Sequence, residues 1–375
     1  MTTTLKASAS DCNFSSEARG SSDPTEPVST SSKRSPDLQR SDCKIREVWI
    51  AASPKAGSGA GRNQIDRLVS LLRENDVDCH VTHSIEALQK RVDDPEVTPD
   101  HFAVVAAGGD GTIALVAQNL PQDFAIVPMP MGTENLLARH WGFSPMAVDV
   151  AETILHGERF RMDAGLANGR LFLVMVTAGM DAEVVRGMHL TRRGHIRRWS
   201  YAKPILRAIS RYSYPVIRSV ERMVGDAADR SSDSERETCG GRGDSGESDG
   251  LGDQPIAATS GDIETTVDAC WMMAFNIPRY AGGLGIEPDA SPNDGLLDLI
   301  AMRRGYLWNG LHYLTRIKLG WHLLHRDVTR RRVRQVTWSA PSRVPYQVDG
   351  DYAGRLPVQI EVLPSRVTLL RPKTA

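Results

Sequence analysis

Residues 101–107 (HFAVVAA) form an almost wholly apolar run that ends in Gly108-Gly109-Asp110-Gly111-Thr112 and passes straight into a helical pattern. So short an apolar run suits a strand covered on both faces, as in a parallel sheet layered between helices. The neighbouring chain repeats the rhythm. Residues 46–52 (REVWIAA), 77–83 and 124–129 read as strands. Residues 62–74 carry an apolar stripe at Ile65, Leu68, Val69, Leu71 and Leu72, residues 84–92 read as a helix with Ser84 as N-cap, and residues 112–120 as a third helix. Strand and helix taking turns predicts an open, Rossmann-like α/β domain over residues 45–158, with a parallel sheet and right-handed crossovers.

After residue 158 the pattern changes. Short β-rich pieces at 170–177, 269–276, 295–302, 334–339, 358–363 and 366–370 predict a mainly-β, sandwich-like domain over 159–375, interrupted by helical stretches near 201–211 and 306–325. Residues 1–44 and 225–262 are polar and poor in apolar residues, and are expected to be disordered. The second segment holds ten acidic residues against three arginines, so with a chain net charge of -1 the remainder is modestly basic. That balance suits an anionic substrate or surface and gives no global pull toward nucleic acid. Five cysteines without a Cys-x-x-Cys pair suggest neither a zinc ribbon nor a disulfide framework. The first residues have no stretch like a signal peptide, and no run of about 18 apolar residues exists, so a protein of the cytoplasm is expected.

Three glycine-containing turns each follow a predicted strand and precede a predicted helix. The first, SPKAGSGAGR at 53–62, contains Gly57, Ser58 and Gly59. The second is Gly108-Gly109-Asp110-Gly111-Thr112, and the third is Pro130-Met131-Gly132-Thr133-Glu134-Asn135. Helix N-termini present unpaired N–H groups, and glycines let backbone approach a phosphate closely. The carboxyl ends of parallel strands are where open α/β sheets place ligands. Asp110 has two roles open to it: sharing a site with Mg²⁺ on nucleotide phosphates, or capping a helix.

The ordered set resembles the diacylglycerol-kinase-type catalytic domain family, whose branches include bacterial lipid kinases and the sphingosine and ceramide kinases. GGDGT at 108–112 matches that family unchanged. SPKAGSGAG is similar to its first loop, PMGTENLLAR at 130–139 to its third, and TAGMDAEV at 177–184, GGLGIEPDASPNDGLLDL at 282–299 and Val348-Asp349-Gly350-Asp351 to later segments. The resemblance implies an ATP-dependent, Mg²⁺-using lipid kinase of phospholipid metabolism, working in the cleft between its two domains on diacylglycerol or a related lipid; the alternatives are an NAD kinase-like enzyme, which shares GGDGT, or a nucleotide- or membrane-binding module that has lost catalysis. Gly57, Ser58, Gly59, Gly108, Gly109, Asp110, Gly111, Thr112, Gly132, Thr133 and Asn135 would then meet ATP, with Asp110 near the metal. Asp349 would be the general base, supported by Asp351. Read without the family, Asp349-Gly350 is a favoured hairpin-turn dipeptide. The family's carboxylate after Asn135 is Leu136 here, and its first-loop Asn is Ser53.

Two further features are read with alternatives. Asp289, Asn293, Asp294 and Asp298 form an acid-rich loop, either a polar turn or, as in bacterial relatives, a structural Mg²⁺ site in which Asp289, Asp294 and Asp298 are ligands. Residues 303–334 place Leu307, Leu311, Leu314, Ile317, Trp321 and Leu324 at helical spacing beside many arginines, including Arg330, Arg331 and Arg332. Such a stripe packs into a core or lies on an anionic membrane, which would put the protein at the inner membrane face. Oligomeric state is left open, a homodimer among the options.

Overall fold

The protein is described here by a computed structural model covering residues 45–53, 60–191, 210, 212–223, 263–280, 284–305 and 307–373. The expected disordered segments, the first glycine loop with Gly57, Ser58 and Gly59, and residues 192–198 and 201–209 of the basic and helical stretches lie outside the described residues.

The first half alternates as its pattern predicts. Strands β1 (Glu47–Ala52), β2 (Asp78–Thr82), β3 (Phe102–Gly108) and β4 (Ala125–Pro130) pair in parallel in the order β2-β1-β3-β4. Between and after them run α1 (Ala60–Glu74), α2 (Ile85–Val92), α3 (Asp110–Asn119), α4 (Leu136–Trp141) and α5 (Ala147–His156). Every residue of β3 is buried, as a strand sandwiched between helices must be. One face packs on Leu68, Leu72, Val150 and Ile154 of α1 and α5. The other packs on Leu88, Ile113, Val116 and Leu137 of α2, α3 and α4. Ser84 caps α2, its hydroxyl accepting from the Ala87 N–H.

The second half contributes β5 (Glu158–Ala167), β6 (Arg170–Phe172), β7 (Met175–Ala178), α6 (Met180–Thr191), β8 (Ile217–Met223), β9 (Ile263–Ala269), β10 (Trp271–Phe275), β11 (Leu297–Met302), α7 (Leu307–Leu319), β12 (Val328–Val333), β13 (Gln335–Ser339), β14 (Pro345–Val348), β15 (Asp351–Arg355) and β16 (Val358–Arg371). Six strands form one sheet, β12-β11-β10-β7-β14-β15. The others extend the parallel sheet: β16 pairs in parallel with β4 and antiparallel with β5 and β13, so both halves share one ten-stranded sheet. Phe172, Met272, Leu299, Trp338 and Val358 fill the space between the two sheets, which makes this half a β-sandwich.

Three elements differ from the sequence reading. The segment 170–177 is two strands, broken at Leu173 and Val174. The segments 358–363 and 366–370 are one strand with an irregularity between Leu363 and Val367, where Ser365 adopts φ 51°. The helical pattern of 306–325 ends as an α-helix at Leu319, because Gly320 at φ +73° reverses the chain. Among the described residues no helix is long and apolar enough to cross a membrane.

Asp163, 1% exposed, ties these parts together. Its carboxylate accepts from the N–H of Gly295 and of Ser365, both at 2.7 Å, and the buried Asn276 amide donates to the carbonyls of Asp163 and Leu173. Replacing Asp163 with Ala leaves two amides without their acceptor and is expected to cost about 3 kcal/mol. A lower midpoint in urea unfolding checks this, and an unchanged midpoint contradicts it.

Candidate active site

The GGDGT turn is the first turn of α3. Gly109 is the N-cap, in extended backbone, and Asp110, Gly111 and Thr112 are already helical. The helix therefore starts earlier than the apolar periodicity suggested, with an acid where the helix dipole favours one. A Cβ on Gly108 would lie 2.2 Å from Thr112 Oγ1, so the turn closes only around glycine.

The second and third turns are locked together. The Met131 N–H donates to the Gly108 carbonyl at 2.8 Å. A Cβ on Gly132 would lie 2.6 Å from the Gly109 Cα, so the backbones touch. Asn135, at φ 49°, folds its amide back on its own loop: Oδ1 accepts from the Gly132 N–H and Nδ2 donates to the Gly132 carbonyl. Asp110 completes the clamp. Its two carboxylate oxygens accept from the N–H groups of Leu136 and Leu137, at 2.9 and 3.0 Å. Asp110 thus caps a helix, α4, which belongs to the next loop. Burial raises its pKa against the pull of those amides. Leu136, where the family carries a carboxylate, is 5% exposed and packs into the hydrophobic core.

Asp349 and Gly350 form the two-residue turn of the β14–β15 hairpin, at φ 50° and 84°. One Asp349 oxygen accepts from the N–H of Val174 and of Met175, at 3.0 and 2.9 Å, and the other from the Leu173 N–H at 2.9 Å. The β6–β7 break exists where its amides turn toward this carboxylate. Burial outweighs the three amides and pushes the Asp349 pKa up to about 7, with the charge of nearby Asp110 adding to the rise. Asp351 lies against the GGDGT turn: its Oδ2 is 3.4 Å from where a Gly111 Cβ would be, and 3.4 Å from Arg170 Nη2. The structure therefore brings 108–112, 132–135 and 349–351 to one place. Thr133, exposed, sits on the third turn.

Sequence reasoning missed Arg170 and a buried relay behind the hairpin. The Gly350 N–H donates to Gln347 Oε1 at 2.6 Å, Gln347 Nε2 donates to Thr177 Oγ1 at 2.9 Å, and the Thr177 hydroxyl donates to Asp181. Trp271 Nε1 and the Tyr280 hydroxyl also donate to Asp181, at 2.7 and 3.0 Å. Asp181 lies in the TAGMDAEV segment, but nothing in that segment names partners some 90 residues away.

The acid-rich loop takes another form. Arg330 forks onto Glu287 and reaches Asp289 at 2.8 Å, while Arg332 pairs with Asp294 and lies 3.6 Å from Asp298. Among the described residues no group of three or more His, Cys, Asp or Glu side chains is placed to hold a metal ion, so Asp289, Asp294 and Asp298 are not gathered as a cation cage. Arg330, Arg331 and Arg332 lie on strand β12, spent on ion pairs, and not on a membrane-facing helix; Arg331 pairs with Glu221 at 3.4 Å. Arginine is also the residue best shaped to fork onto a carboxylate.

The clamp gives a direct test. Gly132→Ala forces apart the contact between the second and third turns, an overpacking cost of about 1–3 kcal/mol. Calorimetric titration with ATP should show at least about tenfold weaker binding. Unchanged affinity would mean that the closed turns do not form the nucleotide site.

Residues 47–167 match the Diacylglycerol kinase catalytic domain, and residues 245–371 match the YegS C-terminal NAD kinase beta sandwich-like domain. A diacylglycerol kinase of Mycobacterium tuberculosis (strain H37Rv) is 24% identical over 343 residues, 88% of this chain and 96% of that one. A diacylglycerol kinase of Staphylococcus carnosus is 23% identical over 277 residues, 73% of this chain and 78% of that one. A crystal structure described as a diacylglycerol kinase from Bacillus anthracis superposes with a TM-score of 0.58 at 18% identity, covering 89% of this chain and 99% of that one, a likeness of fold. On the fold just described, the chain thus carries a match to the diacylglycerol kinase catalytic domain followed by a match to the YegS-type C-terminal domain.

Proposed function

We propose that the protein is an ATP-dependent lipid kinase that transfers the γ-phosphate of ATP to a lipid hydroxyl, with diacylglycerol or a closely related lipid as acceptor. The observation that carries this reading is the Asp349 carboxylate, held by three backbone amides beside the glycine-lined turns. A lipid hydroxyl is a weak nucleophile, and a carboxylate poised near neutrality can take its proton as attack proceeds. In the step proposed, the hydroxyl oxygen bonds to the γ-phosphorus, the bond to the β–γ bridging oxygen breaks, ADP leaves, and the hydroxyl proton passes to Asp349.

The turns fit a nucleotide. Gly109, Gly111 and Gly132 leave backbone accessible beside the buried Gly108, at the N-terminus of α3. Thr112, Thr133 and Asn135 are assigned to the edges of that cradle, and Gly57, Ser58 and Gly59 to the loop after β1. A nucleotide-borne Mg²⁺ needs only one or two protein carboxylates. Asp110 and Asp351 are the candidates, and the ion when bound would neutralise phosphate charge. Of the two, Asp351 is the exposed one, 3.4 Å from Arg170, while Asp110 is half-buried and holds α4.

The pH dependence follows from the raised Asp349 pKa. Below about 7 the carboxyl is protonated and cannot accept the hydroxyl proton; above it the base is ionised. With Mg-ATP and diacylglycerol in mixed micelles, kcat should rise with pH through about 7. Asp349→Asn should lower kcat at least about 100-fold while ATP affinity is retained. Full activity of Asp349→Asn, or a flat pH profile, would remove Asp349 from the chemistry.

A further inference from the structure

We propose that residues 319–326 form a membrane-docking wedge, in which Leu319, Trp321 and Leu324 enter the surface of an anionic bilayer. The proposal rests on the lipid-substrate reading above and says how the protein reaches a substrate that lies within a membrane.

Among the described residues seven large apolar side chains are exposed, and three of them fall in this one stretch: Leu319 at 53%, Trp321 at 58% and Leu324 at 83%. Single exposed apolar residues are ordinary, whereas a cluster marks a contact surface. The inward face of α7 is already occupied. Tyr313 and Ile317 are 2% and 3% exposed and pack in the core with Tyr280 and Ile286. The part of the stripe that continues past Ile317, at Leu319, Trp321 and Leu324, is instead exposed.

Local geometry holds it outward. The Gly320 N–H donates to the Ile317 carbonyl at 3.1 Å and the Trp321 N–H to the Arg316 carbonyl at 2.9 Å, the paired bonds of a glycine-terminated helix end. In such an end the residue after the glycine commonly packs on an apolar side chain one turn back, and that position is Arg316. The base of the wedge is fixed. His322 is 1% exposed, and its Nε2 donates to the Ile286 carbonyl at 2.6 Å, at the start of a single 3₁₀ turn, His322–Leu324. Apolar side chains on a fixed base lose little freedom on insertion.

Charge selects the occupant. From residue 307 to 326 the sequence contains no acidic residue, while Arg316, Lys318 and Arg326 bracket the exposed apolar side chains. The first acid, Asp327, is already paired with Arg304 at 2.9 Å. Exposed Trp and Leu side chains flanked in sequence by cations match an interface of headgroups over acyl chains, where indole rings settle and each nearby Lys or Arg is drawn to anionic lipid. Arg330, Arg331 and Arg332 are ion-paired on β12, apart from this stretch.

The test uses the full chain, with vesicles of phosphatidylcholine alone or mixed with phosphatidylglycerol. Wild type should co-sediment with the anionic vesicles and be released by salt. Trp321→Ser/Leu324→Ser should bind at least about tenfold more weakly with an unchanged thermal midpoint, and Lys318→Ala/Arg326→Ala should lose the preference for anionic vesicles. Val81→Ser, which changes a comparably exposed residue on the edge strand β2, should behave as wild type. Both wedge variants should still phosphorylate a short-chain diacylglycerol dispersed in water, losing activity only on bilayer substrate. Loss of vesicle binding in a protein that phosphorylates neither substrate would uphold the wedge and end the kinase reading. Vesicle binding unaffected by either double substitution would overturn the wedge and leave the kinase reading standing. A wild-type protein that ignores both vesicles, or a Trp321→Ser/Leu324→Ser protein that changes from dimer to monomer in lipid-free buffer, would also overturn it, the latter by assigning the patch to a second copy of the chain.

Discussion

Three backbone amides, from Leu173, Val174 and Met175, converge on the carboxylate of Asp349, and the arrangement of the second half follows from that contact. To offer those amides the chain must leave the sheet between β6 and β7, which splits what would otherwise be one strand. To bring the carboxylate there, the β14–β15 hairpin must turn on two residues with positive φ, and Asp-Gly is a pair suited to that turn. The contact carries an electrostatic cost. A carboxyl whose folded pKa is about 7, above its unfolded value, disfavours the folded state once ionised, so the cost is complete above about pH 7 and disappears below the unfolded pKa. The surrounding core and the Gln347–Thr177–Asp181 relay hold the hairpin against it. A group retained at such a cost at the edge of a phosphate-type cradle is a candidate for chemistry.

Asp110 plays the matching part in the first half. By accepting from the amides of Leu136 and Leu137 it makes one rigid body of two turns that the sequence separates by some 20 residues. Gly109 and Gly132 then meet backbone to backbone. The two carboxylates are close enough for the charge of Asp110 to raise the pKa of Asp349. The two acids that meet here are each anchored by main-chain N–H groups.

Much of this was legible in the sequence because it rests on local signals. The wholly apolar β3, the glycine turns and the alternating helices specify a parallel α/β layer, whereas Asp349 stands out from an ordinary hairpin turn only through the family resemblance. What could not be read depends on partners far along the chain. Nothing near Arg330 and Arg332 announces that Glu287, Asp289 and Asp294 will neutralise them, so their basic run looked like part of a membrane face. The helical periodicity through Leu324 continues past Gly320 in sequence but not in space, and only the structure separates the buried Tyr313 and Ile317 from the exposed Trp321 and Leu324. Asp163 and Asn276, which hold Leu173 in place for Asp349, carry no motif at all.

The account's central claim is that these anchored acids and glycine turns form a site for moving phosphate from ATP to a lipid hydroxyl. The most direct measurement is transfer of labelled γ-phosphate to a total lipid extract, with the labelled product identified by mass. The account predicts a product heavier than a diacylglycerol or related lipid by one HPO₃ unit, formed by the wild-type protein. Label appearing only on a water-soluble acceptor such as a dinucleotide, or ATP bound tightly with no labelled lipid formed, would contradict it.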